Sequence, residues 1–126
     1  MAYRRKKGEN WPHRGEIYLT RLDPTVGHEI KKTRPALVVQ NDISNQYGLT
    51  TMVAPLTSTI RTPLSPVSVL VPAGAQTGLD VPSLAVFSQI RTVDRVRLGR
   101  CIGVADAETM KRVDEAIHVA FGLNIQ

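Results

Sequence analysis

The segment Gly27-His28-Glu29-Ile30-Lys31-Lys32-Thr33-Arg34-Pro35 gathers one carboxylate, one imidazole and three cations within nine residues, immediately before a run of apolar ones. Side chains of these types could hold an anion and move a proton. A guanidinium offers permanent charge in a planar fork matched to phosphate oxygens, and a carboxylate or imidazole accepts a proton. The other two histidines add little, since His13 lies in a polar N-terminal stretch and His118 among apolar neighbours. Further along, Thr57, Ser58 and Thr59 put hydroxyls beside Arg61. Taken singly, each has an ordinary reading: Arg34 as an ion-pair partner, Thr57 as a turn-starting hydroxyl, Glu29 as a surface charge.

Several other chemistries lose ground. There is no Gly-x-x-x-x-Gly-Lys phosphate loop, no Gly-x-Ser-x-Gly nucleophile turn and no His-Glu-x-x-His. Cys101 is the single cysteine, and neither a Cys-x-x-Cys nor a His/Cys cluster of metal-binding spacing occurs. No metal and no cofactor are therefore expected, and Cys101 reads as a buried strand residue in a reducing cytoplasm. The basic Arg4-Arg5-Lys6-Lys7 is followed by polar residues, and no stretch approaches membrane-spanning length. A cytoplasmic protein with no membrane partner is expected.

The charge is unevenly spread. Residues 1–34 hold nine Lys/Arg against four Asp/Glu, whereas the remainder holds seven of each, so the net +5 belongs to the N-terminal quarter. One positive side suits a polyanion. Aromatic residues make up 5%, so the core must come from Val, Leu, Ile and Ala, and base stacking would be sparse.

The elements that must position these residues follow from pattern. Residues 1–13 lack periodicity and read as a flexible basic arm, leaving 14–126 as a single domain. Strands are expected at Glu16–Leu22, Ala36–Val39, Thr50–Pro55, Val67–Val71, Ser83–Ile90 and Leu98–Val104, with turn formers at 41–48, 57–66 and 72–82 between them. Only three charged residues lie between Leu37 and Ile90, which marks that span as the buried body. Asp106 reads as the N-cap of a helix with Glu108 in its first turn and Gly122 at its end. Met110, Val113, Ile117, Ala120 and Phe121 share one helical face. Short strands divided by turns argue for a barrel or sandwich.

The order of Asp23-Pro24, Gly27 with Glu29, Arg34-Pro35 before an apolar strand, Gln40-Asn41-Asp42, Pro55-Leu56-Thr57-Ser58 and Gln89-Ile90-Arg91-Thr92-Val93-Asp94, closed by an amphipathic helix, resembles MazF/PemK/Kid-like toxins. The similarity runs from about Arg14 to Leu123. It implies a mainly β fold with α, an SH3-like (plasmid maintenance toxin) β-barrel with a C-terminal helix. The implied activity is that of a homodimeric, metal-independent endoribonuclease cutting single-stranded RNA at short motifs, restrained by a cognate antitoxin whose acidic tail crosses the basic groove. The resemblance carries catalytic roles onto Arg34 and Thr57, with Glu29 proposed in some members.

Arg34 is then the charge stabiliser, and because arginine stays protonated the base is Glu29 or His28. Lys31, Lys32 and Arg61, with His28, are candidates for the RNA backbone. Ser58, Thr59 and Gln89 are candidates for base edges, and Arg91 and Arg95 for dimer ion pairs. One departure stands out: Ser88 occupies the place where many relatives carry an acid. The competing expectation is a catalytically silent barrel that binds nucleic acid or a partner peptide on the same basic side.

Overall fold

The computed structural model describes residues 3–5 and 9–123. In chain order these form β1 (Glu16–Arg21), β2 (Thr33–Val38), α1 (Asp42–Tyr47), β3 (Thr50–Thr57), β4 (Ser68–Val71), β5 (Ser83–Val86), β6 (Arg91–Asp94), β7 (Leu98–Val104) and α2 (Ala107–Ala120). The strands pair antiparallel along the path β4-β5-β3-β2-β1-β7, with β6 also on β3. The mainly β architecture with a C-terminal helix is thus as expected.

The apolar run Ala36-Leu37-Val38-Val39 shows no alternation because both faces of β2 are buried. Leu37 and Val39 join Ile17, Ala54, Leu56, Phe87 and Val113 in one cluster, whereas Ala36 and Val38 join Tyr18, Val53 and Val93 in another. Hydrophobic burial on both sides makes β1, β2 and β3 the rigid middle of the fold.

The sheet does not close through strand pairing. β4 and β7 end the path, and the turn over residues 72–82 spans the seam between them. Val104 N–H donates to the Gln76 carbonyl at 2.9 Å. Backbone meets backbone so tightly that a Cβ on Gly78 would stand 1.9 Å from the Ile102 carbonyl oxygen, and one on Gly103 2.2 Å from Thr77. Glycine is obligatory at both points.

The single strand expected over Ser83–Ile90 is divided. β5 pairs with the end of β3, a 3₁₀ turn over Phe87–Gln89 drives the Phe87 ring into the core, and β6 then pairs with the beginning of β3. Pro55, which has no N–H for a ladder, stands where the β3 edge passes from β6 to β5. The buried span expected between Leu37 and Ile90 is likewise interrupted, since residues 58–66 are all exposed.

Residues 41–48, expected as a turn, form α1. Asn41 caps it by accepting from Ser44 N–H at 2.8 Å, and the buried Asn45 amide accepts from Gln40 Nε2 and Thr51 Oγ1 at 2.9 and 2.7 Å. Asn, Asp and Ser favour turns and helix starts equally, so the tertiary bonds of Asn45 decide.

α2 begins at the expected Asp106 cap, whose carboxylate accepts from Thr109 N–H, and closes with Gly122 at φ +70° and Leu123 N–H donating to the His118 carbonyl. Its seam runs through Thr109, Val113 and Ala116 with Met110, Ile117 and Ala120 beside them. Phe121 departs from the expected face, because it occupies the cap and is 59% exposed.

The described part of the segment read as a flexible arm is tied to the body. Glu16 is fully buried and accepts from Tyr3 Oη at 2.7 Å, Arg5 Nε at 2.9 Å, His13 N–H at 2.7 Å and Tyr18 Oη at 3.0 Å. Burial, with the Glu16 carboxylate next, pushes both phenols well above their ordinary range. Arg5→Met removes the only lysine or arginine on that carboxylate among the described residues, leaving the His13 ring at 3.6 Å. It should cost about 1.5 to 3 kcal/mol, the range for a hydrogen bond to a charged group. A fall in urea midpoint at unchanged m-value checks this.

Cys101, on β7, is half-buried, and burial with the nearby Glu16 charge pushes its thiol above the usual value, as suits an unreactive strand cysteine. Among the described residues no helix is long and apolar enough to cross a membrane.

Candidate active site

Arg34 lies on β2 and Thr57 at the end of β3. Ala36 pairs with Pro55, Leu37 with Ala54 and Val38 with Val53. Side chains two residues apart in a strand share a face, so Arg34 stands with Ala36, Thr57 with Pro55, and all four on the same side. Continued by two residues, the register sets Arg34 opposite Thr57. The fold therefore brings together residues that are 23 positions apart in the sequence.

Each carries a group ready for use. Arg34 is half-buried and donates through Nε to the Lys31 carbonyl at 2.9 Å, which leaves both terminal nitrogens without a protein partner among the described residues. Thr57 Oγ1 accepts from Thr59 N–H at 3.2 Å, so its own proton is free to be donated. A cleft of about 330 Å³ adjoins Arg34, lined also by Pro35, Asp80, Ser83 and the two neighbours of Thr57 in the chain, Leu56 and Ser58. Asp80, from the turn over 72–82, had no signal in the sequence beyond its charge. A larger groove of about 620 Å³ between α2 and β4 is walled by Leu64, Leu70 and Val119; its cation, Arg112, faces Glu108 at 3.7 Å, and its hydroxyl, Ser68, already donates to the Ser65 carbonyl at 2.9 Å.

Glu29 does not share the Arg34 cleft. One carboxylate oxygen accepts from Val26 N–H at 2.7 Å within its own loop, and the residue lines a separate cleft of about 230 Å³ with Leu22, Arg91 and Arg97. His28, Lys31 and Lys32 are exposed on the same loop, and Ser58, Thr59 and Arg61 are exposed on the segment after β3. Lys32 sits at φ +74°, a left-handed conformation costly for a residue with a Cβ, held by Leu22 N–H donating to its carbonyl at 3.0 Å.

Gln89 is placed differently from the expectation of a free base reader. Its Oε1 accepts from Ile30 N–H at 2.6 Å, and its Nε2 reaches the His28 carbonyl at 3.5 Å. Arg91 and Arg95, expected to serve dimer ion pairs, donate within the chain instead: Arg91 Nη2 to the Ile30 carbonyl at 3.0 Å, and Arg95 to the Asn45 carbonyl. Loop carbonyls leave no sequence signature, so only coordinates show these partners.

A cation with two unengaged nitrogens set opposite a hydroxyl with a free proton, on a small open β-sheet, is an arrangement for a phosphodiester. A profile of the family described as "PemK-like, MazF-like toxin of type II toxin-antitoxin system" matches residues 13–121. The chain belongs to that family. The toxin is 39% identical over 110 residues to Endoribonuclease EndoA of Bacillus subtilis (strain 168), covering 87% of this chain and 94% of that protein. Among solved structures it is similar to Mycobacterium tuberculosis toxin MazF-mt6, with TM-score 0.73 and 30% identity over 87% of this chain and 99% of the other. It is also similar to an endoribonuclease in complex with its cognate antitoxin from a mycobacterial species, with TM-score 0.74 and 25% identity over 91% of this chain and 99% of the other.

Proposed function

We propose that this toxin, an endoribonuclease of a toxin–antitoxin system, cuts single-stranded RNA at a short sequence motif by internal transesterification, without a metal. The 2′-oxygen attacks the adjacent phosphorus, the bond from phosphorus to the 5′-oxygen breaks, and the products are a 2′,3′-cyclic phosphate and a 5′-hydroxyl. The nucleophile belongs to the substrate, so the protein need only move protons and stabilise the charge that gathers on the phosphorane oxygens. Arg34 donates its terminal N–H groups to those oxygens and Thr57 adds its hydroxyl. Glu29, through its second carboxylate oxygen and with the RNA bridging the two clefts, or His28 removes the 2′-proton, and the departing 5′-oxygen takes up a proton from water. Lys31, Lys32 and Arg61 meet flanking phosphates, and Ser58 and Thr59 face base edges.

The reading rests on the shared face of Arg34 and Thr57, each with an unused donor. Its test is incubation of the purified protein with single-stranded RNA in excess chelator, followed by mapping of the ends. Cyclic-phosphate and 5′-hydroxyl termini that vanish in Arg34→Ala are expected. Intact RNA under tight binding would instead mean a silent binding module.

The toxin acts in this proposal as a cytoplasmic homodimer, its catalytic domain spanning residues 14–126, with a cognate antitoxin as its regulator. The antitoxin complex of the mycobacterial relative supports that partner. Tyr47 (81% exposed), Leu49 (78%), Ile43 (76%) and Val96 (72%) flank the junction of α1 with the turn over Arg95–Arg97, where Arg95 N–H donates to the Leu49 carbonyl. Such a patch suits a subunit interface. Leu49→Glu should give a folded monomer in sedimentation velocity at micromolar concentration, and an unchanged dimer would move the interface elsewhere.

A further inference from the structure

The loop between β1 and β2 carries His28, Glu29, Lys31 and Lys32, all exposed, and buries almost no apolar surface of its own. Its order has to come from polar contacts, and four of those that tie it to the rest of the fold converge on three consecutive residues. Ile30 N–H donates to Gln89 Oε1 at 2.6 Å, the Ile30 carbonyl accepts from Arg91 Nη2 at 3.0 Å, the Lys31 carbonyl accepts from Arg34 Nε at 2.9 Å, and the Lys32 carbonyl accepts from Leu22 N–H at 3.0 Å. Two of the four come from one short stretch, Gln89 to Arg91. Arg91 begins β6, where it pairs with Val53 of β3, one of the fully buried residues of the rigid middle.

We infer that Arg91 and Gln89 are positioning residues for Arg34: they clamp both backbone polar groups of Ile30, and the adjoining Lys31 carbonyl sets the direction of the Arg34 guanidinium. This rests on the reaction proposed above and adds to it. A guanidinium held at Nε points its two terminal nitrogens along a line fixed by the acceptor, so the acceptor's placement is the placement of the catalytic charge. β6 is far from the phosphate contacts in sequence, but through Ile30 and Lys31 it reaches them in two hydrogen-bonded steps. The clamp also gives the left-handed Lys32 a reason to persist, because the carbonyls on both sides of it are already held.

The experiment uses Arg91→Met and Gln89→Met, which keep bulk and remove the hydrogen bonds. Misplacement of a catalytic group by about 1 Å costs up to roughly 100-fold, so each variant should lower kcat by about 10- to 100-fold with KM changed less than about threefold. In an Arg34→Ala background the same substitutions should cost less than about threefold, because residues acting through one group are not additive. Arg91→Lys should recover part of the loss. Hydrogen exchange at the Ile30 amide should accelerate in Gln89→Met, and exchange across residues 30–32 in Arg91→Met, while β1 to β3 stay protected.

Full additivity with Arg34→Ala, a raised KM at unchanged kcat, or an altered cleavage motif would overturn the inference and make these residues direct RNA contacts. Unchanged exchange at residues 30–32 would overturn it as well. Exchange does not depend on activity: faster exchange in a protein that cuts no RNA would count against the proposed reaction and leave the clamp standing.

Discussion

Arg34→Ala should abolish most cleavage, with kcat falling by about 100- to 1000-fold, or roughly 2.7 to 4 kcal/mol of barrier, by analogy with removal of one oxyanion donor. The loss should fall on kcat more than on KM, since the extra negative charge exists only in the phosphorane. Arg34→Lys should not restore it, because an ammonium lacks the fork and has no Nε to hold on the Lys31 carbonyl. Stability should barely change: the side chain is only half-buried and has no carboxylate partner among the described residues. Single-turnover cleavage of a labelled RNA beside a thermal melt separates the two effects. A variant that folds normally and retains wild-type kcat would remove Arg34 from the mechanism. Thr57→Val should show a smaller loss of the same kind, as a neutral donor contributes less than a charged one.

Gly78→Ala should be the most destabilising single-methyl change. The new Cβ would lie 1.9 Å from the Ile102 carbonyl oxygen, and the residue sits at φ +73°. Backbone cannot give way there as a flexible side chain could. Overpacking of about 1 to 3 kcal/mol and a left-handed cost of about 1 to 2 kcal/mol together suggest about 2 to 5 kcal/mol. That is a large part of the roughly 5 to 15 kcal/mol by which such domains are stable.

Gly122→Ala is the control. It has almost the same φ, +70°, and nothing within 4 Å of the added carbon, so it should cost only the conformational part, about 1 to 2 kcal/mol. Urea unfolding of the two variants, compared at equal m-value, measures the difference. Equal losses would mean that the turn over 72–82 does not press on β7 and that the seam between β4 and β7 is looser than described.

Local pattern was enough for the elements whose cause is local. The stretch Leu98–Val104, the Asp106 cap and the Gly122 stop could be read directly, because strand-forming residue types, an N-cap acceptor and a left-handed glycine each act within a few residues. The same holds for the charge asymmetry and for the candidate loop from Gly27 to Pro35, where chemistry-bearing types are crowded together. The motif resemblance singled out Arg34 and Thr57, but nothing local says that they meet.

What only the tertiary structure decided depends on partners distant in the chain. α1 exists because the Asn45 amide finds Gln40 and Thr51, and β6 separates from β5 because β3 offers its edge to each in turn. The β2–β3 register puts Arg34 and Thr57 on one face, while the path of the loop sends Glu29 to a different cleft. Gln89 and Arg91 are spent on backbone atoms of Ile30, groups that every residue but proline possesses and that therefore carry no mark in a sequence. Periodicity and capping are short-range and leave a trace in residue order; register, seam closure and side-chain bonds to distant main chain are set by where the packed strands bring the chain.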